Sequence, residues 1–280
     1  MKEIPKFEGR PLIEVPETIP RIGYLQGDFG KAFLESYNTV VKEKYNDNGT
    51  LKVFEFEDNI VKGSSTYSSV LAADILKSMG ASLAKPAVIE SARKSNIFDT
   101  RGEGYVDYGV VFRSVDSPNE YLAKQLEPQL KKSLNLKKIK DPVVILSGDL
   151  ELVNDDKAPK GLGFNLKDYA KPFSAPILKK DGNFKETDKN GLPKKLDSDG
   201  NRYSYTTDSG LSGLHLYGGL YVNSSYYLLA YSDSDGRVVA VSEENTQIEK
   251  YVAEIDEETA KKIEEIQKIR DEAVTKIKNQ

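Results

Sequence analysis

The chain has 280 residues, 38% hydrophobic and 30% charged, with a formal net charge of −4, one histidine and no cysteine. That length holds one large domain or two ordinary ones with an ample core, and the missing thiols exclude disulfides, thiolate-bound zinc, iron–sulfur clusters and cysteine catalysis. A lone histidine excludes intrachain sites needing two imidazoles, and a pI near 5.4 sets the molecule as a whole against nucleic acid and anionic membranes.

In chain order, residues 1–23 carry prolines at 5, 11, 16 and 20 and are expected to run as an extended arm. They show neither the apolar segment nor the small-residue cleavage site of a secretory signal. No later apolar run approaches the length of a membrane span, so a cytoplasmic protein is the expectation. Residues 28–45 place Phe29, Phe33, Tyr37, Val40, Val41 and Tyr45 at helical spacing, and "NDNG" at 46–49 ends that helix. Residues 51–58 alternate as a short strand. A helix over 66–79 stops at Gly80, and Pro86 opens a third, short helix. Residues 103–114 predict a strand. Ser117-Pro118-Asn119-Glu120 then reads as a capping box, with Ser as cap, Pro in the first turn and Glu reaching back. The helix it starts runs to about 133.

Residues 141–153 predict a strand buried on both faces that continues into an acidic, alternating segment. A polar tract over 178–203 holds three favoured turn pairs, Asp181-Gly182, Asn190-Gly191 and Asp199-Gly200. Strand candidates at 214–222, 225–231 and 237–242 follow as an antiparallel meander. The chain ends in a charged helix, about 256–278, with Ile263, Ile266, Ile269, Ala273 and Ile277 on one stripe. That stripe needs a partner: its own domain, or a second copy in a homodimer. The class is α+β, with a helix-rich part carrying mixed strands over 1–140, a β-rich part over 141–255 packed on it, and the terminal amphipathic helix over 256–280. The three are expected to form one compact unit.

No motif names a reaction. The strings "SLAK" (82–85) and "SARK" (91–94) match Ser-x-x-Lys, but no Lys-Thr-Gly partner accompanies them. A Ser-His-Asp triad would use His215 with Ser209 or Ser212, yet the Gly-x-Ser-x-Gly elbow is absent. The glycine strings at 101–109 and 160–166 complete no phosphate loop, and the Asp-Gly turns do not space their acids as a calcium loop does. The basic run 131–140 sits where a helix C-terminus favours lysine and lacks the aromatics of a nucleic-acid face. Nucleic acid is therefore disfavoured, and no membrane partner is expected.

Two places carry the functional expectation. Along "LHLYGGLYV", 214–222, His215, Tyr217 and Tyr221 alternate onto one face, and Tyr227 joins them from the next strand. Such a face would bind a small molecule or a macromolecular partner by stacking and hydrogen bonding. Non-catalytic binding there is the leading reading. The alternative is a Mg²⁺-dependent hydrolase or nuclease using Asp149, Glu151 and Asp155, which follow a buried strand whose carboxyl end is a favoured place for sites. Apart from that Mg²⁺, no cofactor is expected.

Overall fold

The computed structural model describes residues 10–11, 21–98, 104–218 and 221–242; most of the proline arm and the terminal helix lie outside the described residues. Strands β1 (Arg10–Pro11) and β2 (Arg21–Tyr24) precede helix α1 (Gly27–Lys44). Phe29, Phe33, Tyr37 and Val41 of α1 recur every fourth residue and are all buried, as the sequence periodicity predicts. The expected strand over 51–58 is instead a single-turn helix (Gly49–Leu51) followed by a hairpin of β3 (Glu55–Glu57) and β4 (Ile60–Lys62). Asp58 and Asn59 both take positive φ, 52° and 66°, the conformation a two-residue hairpin turn requires.

Helix α2 (Thr66–Ser78) begins at a capping box in which the Ser65 side chain accepts the Ser68 N–H and Ser68 answers the Ser65 N–H. Strand β5 (Ala81–Leu83), helix α3 (Pro86–Lys94) and the fully buried strand β6 (Tyr105–Phe112) follow. Helix α4 (Glu120–Ser133) starts later than the Ser-Pro-Asn-Glu string implies. Asn119 is its cap, in the left-handed region with φ 59°, and makes no side-chain cap bond. Its amide donates instead to the carbonyls of Leu211 (2.7 Å) and Tyr227 (2.9 Å), so a tertiary anchor replaces the local cap.

The run 141–153 is broken by a single-turn helix, Ser147–Asp149, into β7 (Val143–Leu146) and β8 (Leu150–Asn154). Strand β8 leaves the main sheet to pair with β9 (Leu162–Leu166). Then come β10 (Phe173–Ser174), β11 (Gly182–Phe184), β12 (Arg202–Tyr205), β13 (Leu211–Tyr217), β14 (Val222–Asn223), β15 (Gly236–Arg237) and β16 (Val239–Ser242). Strands β13 and β14 pair antiparallel. Residues 225–231 form no strand, and β16 crosses to a second sheet, ordered β1-β2-β16-β5.

The fold is α+β around the large sheet β11-β12-β14-β13-β6-β15-β4-β3. Its centre is β6, which pairs along one edge with β13 and along the other with β15 and β7. A bulge interrupts the β6–β13 register: Leu214 faces Gly109 and His215 faces Asp107. Gly109 has φ 141°, and a Cβ there would stand 2.1 Å from the Ile145 carbonyl oxygen, so only glycine fits. The bulge decides which side chains meet which core. Val110 and Phe112 join the cluster built on α1, α2 and α4. Val106, Tyr108 and Val111 join the opposite cluster, under β2, β16 and α3.

Candidate functional site

His215 is not on a solvent face. It is 5% exposed, and Asp107, its direct cross-strand neighbour, is 2% exposed. Imidazole Nδ1 lies 2.8 Å from Asp107 Oδ1, in contact but off the line of a regular hydrogen bond, and Nε2 has no partner either. Helix α2 brings its first residue to the same spot. A Cβ on Gly213 would lie 2.6 Å from His215 Nε2 and 2.9 Å from Thr66 Oγ1. Thr66 is 1% exposed and its hydroxyl is unpartnered. The serines nearest in sequence are committed elsewhere: Ser209 donates to the Ser117 carbonyl, and Ser212 accepts from Arg113 and donates to the Ser224 carbonyl.

The four residues expected to share a tyrosine face are divided. Tyr217 stays with His215, since the Tyr105 ring contacts both, at 5.8 Å from the imidazole and 5.6 Å from Tyr217. Burial, followed by the charges of Asp233 and Asp107, pushes the Tyr217 phenol up from its ordinary value. Tyr221 is exposed and lies against Tyr205 instead, at 6.1 Å. Tyr227 is exposed on the segment 225–231. It is Tyr226 that meets the imidazole edge-on, at 5.4 Å. Because that segment is not a strand, alternation cannot foretell which of its tyrosines turns inward.

The acids do not converge. Asp149 ends the single-turn helix, so it does not alternate in step with Glu151 as two residues of one strand would. Glu151 is exposed on β8. Asp155 is held away by Tyr121 (2.9 Å), Gln125 and the Lys157 N–H. Among the described residues no group of three His, Asp or Glu side chains comes together to hold a metal.

Asp149 instead borders a cavity of about 420 Å³ between the C-terminal half of α2, the β5–α3 junction and the end of β7. Four lysines, Lys77, Lys85, Lys167 and Lys171, and two aspartates, Asp74 and Asp149, line it, leaving an excess of two positive charges. Lys167 is tied to Asp74 and to the Gly148 carbonyl. Tyr169, on the rim, has the Lys77 ammonium 4.7 Å from its ring centre. Leu83, Ala84, Pro86 and Leu146 supply an apolar wall. Tyr108 contributes to the same wall while 4% exposed, and its hydroxyl has no partner. Burial lifts Asp149 above the usual carboxylate value, against the opposing pull of the Lys171 N–H and of Lys85, Lys167 and Lys171.

Sequence reasoning singled out none of these lysines as a ligand-binding group. They come from a helix, a helix cap and a loop, with no common spacing. The sequence signal for the His215 cluster was Asp107 itself, an acid in the middle of an apolar strand. Comparison with protein-family models, with curated proteins and with solved structures finds no match, so what these sites do is read from their geometry alone.

Proposed function

We propose that this protein is a binder of small organic anions and that the lysine-lined cavity beside Asp149 is where they sit. The observation that supports this is the four lysines converging on one metabolite-sized cavity that has an apolar wall. Binding sites of this size are mostly apolar, with a few placed polar groups that fix orientation. The cation excess selects an anion such as a phosphate monoester or a dicarboxylate. A ligand that binds only the folded state raises the melting temperature. Dicarboxylates and sugar phosphates at millimolar concentration should therefore stabilise the protein, and their neutral analogues should not. Replacing Lys85 and Lys171 with Gln should weaken binding by about 1.5–3 kcal/mol for each charged hydrogen bond removed, with the free protein's melting temperature nearly unchanged. Equal affinity in that double variant removes the cavity as the site.

A second reading rests on Tyr205 and Tyr221, neighbouring rings that are 42% and 41% exposed. Such a pair would stack on a planar or sugar ring. Tyr221→Ala should then abolish oligosaccharide or nucleotide binding without touching binding of dicarboxylates.

A further inference from the structure

We propose that Thr66, His215 and Asp107 form an acyl-transfer site, separate from the lysine cavity, in which His215 acts as general base on the Thr66 hydroxyl and Asp107 orients the imidazole. All three side chains are buried without a regular hydrogen-bond partner: the Thr66 hydroxyl, both nitrogens of His215 and both oxygens of Asp107. Buried polar groups are normally satisfied, and so many unpaired atoms in one cluster mark a place where bonds are completed by something else. The three residue types are those of a nucleophile, a base and an orienter. Asp107 Oδ1 stands 2.8 Å from Nδ1, while Nε2 and Thr66 Oγ1 both lie beside Gly213, 2.6 and 2.9 Å from where a Cβ would stand. A Cβ on Gly213 would crowd both atoms.

Two neighbouring hydroxyls are already used, while that of Ser64, also buried, has no partner. Ser65 is spent as the cap of α2, accepting the Ser68 N–H, and Ser69 is bonded to Ser147 at 2.8 Å. Thr66 is the first residue of the helix, where the earliest N–H groups have no acceptor within the helix and favour developing negative charge. Tyr105 locks this end of α2 to β6 by donating to the Ser64 carbonyl at 2.8 Å. Against the imidazole lies the partly exposed Tyr226, so an acyl group must be small to pass it.

The chemistry balances with water as the only co-reactant. As Thr66 Oγ1 bonds to the carbonyl carbon of an ester, Nε2 takes its proton. The C–O bond to the leaving alcohol breaks, and the imidazolium protonates that oxygen. Water then attacks the acyl-threonine, Nε2 takes its proton, and Thr66 Oγ1 recovers that proton as the carboxylic acid departs.

The full-length protein is mixed with p-nitrophenyl acetate, and nitrophenolate release is followed alongside peptide mass mapping. An acetyl group should appear on Thr66 within the tryptic peptide 63–77. Thr66→Val should abolish it and Thr66→Ser should retain it. His215→Gln and Asp107→Asn should slow it by roughly 100-fold or more, the usual scale of general-base catalysis. Folded wild-type protein that acquires no acetyl on Thr66, acetylation at another hydroxyl of that peptide, or an undiminished rate in a folded His215→Gln variant overturns the proposal. The first two outcomes need no variant to fold, and none depends on anion binding in the lysine cavity.

Discussion

Glu90 and Arg202 are 3% and 2% exposed and form a two-pronged ion pair, with Nη1 to Oε2 at 2.8 Å, while Arg93 adds a third contact at 3.1 Å. The guanidinium also lies over the Phe184 ring, 4.5 Å from its centre. A buried pair of this kind repays its desolvation only while both members are present. Glu90→Gln should cost about 3–5 kcal/mol in urea unfolding, and the double variant Glu90→Gln with Arg202→Met should recover part of that loss. If the double variant is as unstable as the single, the loss is one of packing rather than of charge. Titration at Asp149 has a definite sign. Burial raises its pKa on folding, so its ionised form costs stability, and that cost disappears as pH falls through the raised value. Protonation also makes the cavity more positive. Anion affinity should therefore increase on mild acidification, and Asp149→Asn should show the tighter affinity already at neutral pH, with the acid-side dependence flattened. Calorimetric titration at two pH values checks both. At the alkaline end, burial and then the charges of Asp74 and Glu151 push Tyr45 up to about 12. The unfolded chain ionises its tyrosines first, near pH 10. Stability is thus complete below pH 10 and declines above it, and Tyr45→Phe should soften that decline in an alkaline denaturation series.

At the scale of single elements, the N-terminus of α2 and the bulge in β6 place the His215 cluster. The Ser65 cap closes the first turn of α2, and its loss leaves the Ser68 N–H unsatisfied in a buried setting. Ser65→Ala should cost about 1–2 kcal/mol, the upper part of the range for caps, and should shift Thr66 relative to His215. The bulge is less forgiving. With φ 141° at Gly109 and the Ile145 carbonyl oxygen 2.1 Å from any Cβ, Gly109→Ala cannot keep both the register with β13 and the pairing with β7. Straightening β6 by one residue would turn Tyr105 and Asp107 to the opposite face, since a strand alternates with period two. A Gly109→Ala protein that folds to wild-type stability, by thermal melting, would show that the bulge is not needed. Such elements are partly legible in the sequence. The stripe of α1 and the stop of α2 at Gly80 follow from local periodicity and from a glycine at φ 76°, which a helix end favours. The start of α4 is not legible, because Asn119 spends its amide on Leu211 and Tyr227, far away in sequence.

Across the molecule, strands from distant parts of the chain alternate within the two larger sheets. Strand β6 lies between β13 and β15, and β16 lies between β2 and β5. A cut between residues 140 and 141 would strip β6 of β13, β7 and β15 at once, exposing a strand buried at every position. The two fragments made separately should be aggregated or unfolded, and should give native-like circular dichroism only when refolded together. Independent folding of either fragment would show that the shared sheet is not what holds the molecule. What the sequence alone determined was whatever depends on composition or on spacing within one element: the α+β class, the want of any thiol or two-histidine chemistry, and the inward stripe of α1. The register of β6 against β13, the inward turn of His215 and the gathering of four lysines around Asp149 were decided by tertiary structure. Each is a meeting of segments tens of residues apart, fixed by a bulge, a break in a strand or a sheet crossover. No local pattern encodes such a meeting, because the partner that satisfies each group lies elsewhere in the chain.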